Sequence, residues 1–190
     1  MALAILTLGA AGVIAMQKAT LVANTNARNL ATANAIAQSW IERIRVDAQA
    51  WNEQGNTPDI SQTAWLTSSA TSPPATNGGW FTPNQIQFAQ SYPAGSTEAD
   101  IMGADLLQAA DKSSFATAFC TQLRLTRFAG TKTGALVSLY PLVRVEVRVV
   151  WDRAGAALNC NALPSGWDGN AGRYGSVYLV SAAMENAAPF

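Results

Sequence analysis

The sequence contains no histidine. That absence removes the commonest general base and the commonest metal ligand together. A hydrolase built from this chain would need a Ser–Lys or paired-carboxylate centre. Lys18, Lys112 and Lys132 sit in no motif that supports one, and Asp152, Asp168 and Glu185 are scattered acids that read as solvated. The run GWDGN, Gly166 to Asn170, offers oxygen ligands without the spacing of an EF-hand loop. No Gly-rich Walker loop is present to cradle a nucleotide. An enzyme is therefore not expected, and neither a cofactor nor a metal is.

Charge is scarce as well. Asp, Glu, Lys and Arg make up 13% of the chain, and twelve basic residues balance twelve acidic ones. No basic excess points to nucleic acid. Apolar residues reach 49%, a balance that suits a protein spending time against lipid or other subunits. Cysteine is limited to Cys120 and Cys160. An even, minimal count beside a membrane-like segment predicts one disulfide and an oxidising compartment. Closing a loop of roughly 40 residues stabilises a fold by about 4 kcal/mol in the chain-entropy treatment.

Proline is absent before Pro58, and there the chain is most regular. Met1 to Met16 reads MALAILTLGAAGVIAM, and the first charge is Lys18. This run is slightly shorter than the roughly 20 residues of a membrane span. It is not followed by a cleavage site; the helical pattern simply continues. Leu30, Ala33, Ala37, Trp40, Ile44, Ala48 and Trp51 recur at steps of three and four, one stripe of an α-helix. Gly55 and Pro58 are expected to stop it. The spacing thus predicts one helix over 1–52, with residues 1–18 in lipid or a bundle of like helices and 19–52 amphipathic.

The remainder, 53–190, reads as a head. Asn52 to Gln85 is irregular and rich in Thr, Ser, Pro and Gly, yet carries Trp65, Leu66, Trp80 and Phe81, so it is expected to be pinned down. Ile86 to Ala89 suggests a short strand, and Thr97 to Ala118 reads as patches of helix. From Leu123 the period changes to two. Val143, Val145, Val147 and Val149 alternate with Arg144, Glu146 and Arg148, so one face of a strand is buried and the other wet. Ala129 to Ala135 reads as a turn, Asp152 to Gly175 as a loop carrying Cys160, and Ser176 to Met184 as a final strand. An antiparallel meander results, with its apolar face covered by the striped helix; the class is α+β. A hairpin of the first two strong strands brings Cys120 towards Cys160.

At this point the chain resembles a family. MALAILTLGAAGVIAMQ is similar to the N-terminal helix of type IV pilins and pseudopilins. ATANAIAQSWIERIRVDAQAW, with Glu42 and Arg43, and VRVEVRVVWDR, with Trp151 and Asp152, resemble segments of minor pilins of the PilV type. The resemblance implies the pilin fold, a long helix whose second half packs on a small antiparallel sheet. The cleavage glycine, methylated first residue and early glutamate of that family are missing from this sequence: either the numbering starts inside the mature helix and they would lie before Met1, or the gene product lacks them. It implies a structural subunit that waits in the inner membrane with its head in the periplasm and is then built into a surface pilus. Ala2, Ile5, Leu6, Gly9, Gly12 and Ile14 would pack in the bilayer or the filament core, the small residues permitting close helix approach. Leu30, Ala37, Trp40, Ile44 and Trp51 would hold helix to head. Implied partners are other minor pilins, the major pilin, a tip adhesin and the inner-membrane assembly platform, in the service of pilus assembly, adhesion and twitching motility. Exposed strand edges and Trp65, Trp80 and Trp167 are candidate contacts. Two neighbouring readings are a minor pseudopilin of a type II secretion system (GspI-like) and a single-pass periplasmic binding module.

Overall fold

The computed structural model describes residues 2–54, 57–59, 63, 65–66, 79–83, 96–107, 109–128 and 142–184. One helix, α1 (Ala2–Ala48), opens the chain and runs for 47 residues without a break. At 1.5 Å per residue it is about 70 Å long. Among the described residues, no helix is long and apolar enough to cross a membrane.

The helix ends seven residues before Gly55. Its exit is tightened by three successive bonds of the i to i+3 kind, from the N–H groups of Gln49, Ala50 and Trp51 to the carbonyls of Val46, Asp47 and Ala48. Trp51 is thereby turned into the core, where it is fully buried. Two three-residue strands follow as a hairpin, β1 (Asn52–Gln54) and β2 (Thr57–Asp59). The expected stop signals therefore lie beyond the helix end; Pro58 is in β2, and Gly55 lies outside the described residues.

The head is a four-stranded antiparallel sheet in the order β3 (Glu98–Ala99), β4 (Phe119–Phe128), β5 (Leu142–Asp152), β6 (Tyr174–Met184). The expected meander is present. β5 and β6 pair one for one from Leu142 opposite Met184 to Asp152 opposite Tyr174, with no bulge. Between Thr97 and Ala118 the structure departs from the expected helical patches. Among the described residues only α2 (Ala109–Ser114) is helical there; Glu98 and Ala99 pair with β4, and Ile101 and Phe115 are exposed. The apolar spacing in that stretch was too irregular to bury one helix face. The suggested strand at Ile86 to Ala89 and the turn at Ala129 to Ala135 lie outside the described residues.

Helix α1 lies across β5 and β6 and touches β4. The core between them holds Ala33, Ala37, Trp40 and Ile44 from the helix, Trp51 from just beyond its end, and Leu123, Val143, Val145, Val147 and Val149 from the sheet. Each fully buried aliphatic side chain there is worth about 1.5–3 kcal/mol. Leu30 does not belong to this seam: it is 47% exposed. Cover for the helix at that level comes from the turn at Asp100–Ala104, where Gly103 sits against Thr32 and Ile36. Leu30 lies roughly 120–160° round the helix from those two residues. Asn29 is buried in its place.

Candidate interaction surfaces

The first surface is the part of α1 that the head does not cover. Val13, Ile14, Met16, Leu21 and Val22 are all more than half exposed. Gly12 has open space where a side chain would stand. Ala2, Ile5, Leu6 and Gly9 lie in the same helix, but their side chains fall outside the described residues. The exposed stretch thus presents apolar side chains with no partner among the described residues, an arrangement water penalises.

The second is the junction of helix and head. Trp40 meets Trp65 edge to face with centroids 5.6 Å apart. Trp65 is therefore core, 2% exposed, and is no partner anchor. Arg43 stacks over Trp40 at 5.0 Å and pairs with Asp105, tying the helix to the Asp100–Asp105 turn. Glu42, its neighbour in the Glu-Arg pair, points outward and meets Arg45. Asp47 is buried on the stripe between Ile44 and Trp51. Its Oδ2 accepts the backbone N–H groups of Trp65 at 2.9 Å and Leu66 at 3.0 Å. A carboxylate in the last turn opposes the helix dipole; two charge-assisted bonds offset that and pin the first part of the irregular segment. The signal for Asp47 was legible in the sequence, since a polar residue at the i+3 step from Ile44 falls on the apolar stripe.

The third feature is the disulfide. Cys120 and Cys160 are bonded, with Cα atoms 5.1 Å apart. Cys120 lies inside β4 and not ahead of it, paired with Val150. Both sulfurs are buried in a small cluster with Val150, Leu158 and Tyr174. The loop they hold carries the 3-10 turn Trp167–Gly169 and returns through Arg173, whose Nε donates to Asp152 at 3.0 Å. Asp152 is buried, not solvated as expected: it also accepts the N–H of Ala154 at 2.7 Å and so fixes the exit of β5. Asp168 is exposed, and Glu185 lies outside the described residues.

The fourth is the sheet face turned away from α1. In register across β4, β5 and β6 stand Gln122, Arg148 and Tyr178, then Arg124, Glu146 and Val180, then Thr126, Arg144 and Ala182. Arg148 is stacked between two indoles, 4.1 Å from Trp80 and 4.9 Å from Trp167. Trp80 also receives Arg124 at 4.8 Å and meets Tyr178 edge to face. Burial among these rings draws the Arg148 pKa down from its usual value. Glu146 accepts from both Arg124 and Arg144. The hydrogen bonds from Arg124 hold its carboxyl below the usual range, against the opposing effect of burial. This face is not simply wet, as the alternation implied. Glu146 is 7% exposed under its guanidinium cover. Trp80 and Trp167 are half-buried in the stack; their distance in sequence from β5 hid this.

Among the described residues, no group of three or more Cys, Asp or Glu could hold a metal ion. Comparison of the chain with protein-family models, with curated proteins and with solved structures finds no match.

Proposed function

We propose that this chain is a minor type IV pilin of the PilV kind, a structural subunit that supports pilus assembly. One observation carries the reading. A single helix has two parts with different surroundings: from Asn29 onward it seals the sheet, and over residues 10–28 its side chains are exposed and carry the apolar row Val13, Ile14, Met16, Leu21 and Val22. An apolar rod joined rigidly to a folded head suits a subunit whose rod moves from lipid to a bundle of like rods. Each environment is apolar, so the transfer avoids exposing Leu and Ile side chains that are each worth about 1.5–3 kcal/mol on burial. The small residues Ala2, Gly9 and Gly12 permit close helix approach in either place. The resemblance of the N-terminal run and of the Trp151–Asp152 strand end supports the same assignment.

Partners in this reading are other minor pilins, the major pilin, a tip adhesin, the inner-membrane platform and, before assembly, the bilayer. The disulfide agrees with a head that folds in the periplasm. The test is fractionation. Tagged chain is expected in sheared, purified pili, and its deletion is expected to reduce piliation and twitching. Recovery from membranes alone, with piliation unchanged, would overturn the reading.

A further inference from the structure

The two edges of the head sheet are treated differently. Beyond β4 the edge is occupied by β3, and by Phe81, which exchanges both backbone hydrogen bonds with Leu123 at 2.9 Å. Beyond β6, nothing among the described residues pairs. Proteins usually protect such an edge with lysine, proline, a bulge or a very short strand. β6 has none of these. It is eleven residues long, YGSVYLVSAAM, with no charge and no proline, and its pairing with β5 is regular throughout.

The face beside that edge has a chemical preference. Tyr178, Val180 and Met184 are each more than half exposed and line its outer side. Behind them lie three guanidiniums, Arg124, Arg144 and Arg148, against two carboxylates: Glu146, which Arg124 already holds by two bonds, and Asp168, which acts on Arg148. Arg144 donates to Glu146 Oε1 through Nη2 at 2.9 Å, yet its side chain is 48% exposed and stands opposite Ala182, whose methyl leaves the way to the edge open. A strand added to β6 would run two strand spacings, roughly 10 Å, from β5. A carboxylate on it and the Arg144 side chain would span that gap between them. A second copy of this chain would bring no carboxylate to Arg144, since its own β6 is uncharged.

We propose that β6 receives one extended strand of another protein, apolar where it crosses Val180 and carrying a carboxylate where it passes Arg144. Backbone bonds to the edge would supply affinity and the carboxylate would supply choice of partner. The proposal does not depend on the pilin reading, because it uses only the head.

The test uses the full chain in detergent and two synthetic peptides matched to β6 in length, with alternating Val and Thr. They are identical except for one position, Glu in one and Lys in the other. Hydrogen exchange of residues 174–184 and titration give the readout. The Glu peptide is expected to slow exchange across β6 and to bind about tenfold tighter than the Lys peptide. Arg144→Glu is expected to reverse that order, and Arg144→Gln to erase it. N-methylation of alternate peptide residues, which blocks their backbone donors without touching the protein, is expected to abolish binding. Three outcomes would overturn the proposal: no protection by either peptide, equal binding of both, or concentration-dependent protection of β6 by the chain alone. The last would make a second copy the occupant.

Discussion

Gly175 stands opposite Trp151 in the pairing of β5 with β6, and the indole lies over it. A Cβ at that position would fall 2.2 Å from the Cε2 and Cζ2 atoms of Trp151. Trp151 is 5% exposed and packs against Phe119 in the main core, so it has little room to withdraw. Gly175→Ala is therefore expected to cost about 1–3 kcal/mol as an overpacked site. A smaller side chain at 151 should reduce that cost, since residues in contact couple. Thermal melts of the two single variants and the double variant check this; strict additivity would count against the contact. Glu146 gives a prediction in pH. Its folded pKa lies below the ordinary carboxylate value, first because of the Arg124 hydrogen bonds. A depressed carboxylate contributes stability that is present above the unfolded value, about 4.3, and lost as pH falls through the folded one. The stability lost in Glu146→Gln should thus be largest near neutrality and shrink below about pH 4. A gap between the two melting curves that stays constant with pH would refute the assignment.

Elements were legible in the sequence to the degree that their periods were clean. The stripe from Ala33 to Trp51 and the alternation from Val143 to Val149 each had a repeated step and one buried face. Both are where they were expected. Leu30 fits the same stripe and is exposed, because a stripe marks a face and not how far the cover extends along it. The helix end was misplaced because Gly55 and Pro58 are strong stop signals, whereas the actual stop depends on Asp47 and Trp51 meeting residues that are distant in sequence. The aromatic stack on Arg148 could not be read at all. It joins segments near residues 80, 148 and 167, which only the sheet brings together. The disulfide lay between these cases: its pairing followed from a count of two, but its place inside β4 did not. It links β4 to the β5–β6 loop across a separation of 40 residues. Replacing both cysteines with alanine is expected to cost about 4 kcal/mol, and nearly the same stability is expected from reduction of the native chain. At about 2–4 °C per kcal/mol for a chain of this size, the drop in Tm is easily measured. An unchanged Tm would mean that the apolar cluster around Val150 and Tyr174 holds the loop unaided.

At the scale of the whole molecule, the division of α1 sets where the head ends. Among the described side chains of the helix, the buried ones begin at Asn29, and those from Ala10 to Arg28 are exposed apart from a half-covered Asn26. If the head owes its stability to the seam from Ala33 to Trp51, the first part of the helix contributes nothing to it. A chain beginning at Asn26 should then fold with a Tm within a few degrees of the full chain's, since surface changes away from the core seldom exceed about 0.5 kcal/mol. The same truncation removes Val13, Ile14, Met16, Leu21 and Val22, the exposed apolar row. The truncated head should stay monomeric without detergent, whereas the full chain should need detergent or vesicles to remain dispersed. The two measurements separate two roles that one continuous helix combines. If truncation unfolds the head, the seam depends on the helix upstream. If the full chain is monomeric in plain buffer, the exposed row has no partner to seek, and the reading of the rod as a part that moves between lipid and filament loses its physical basis.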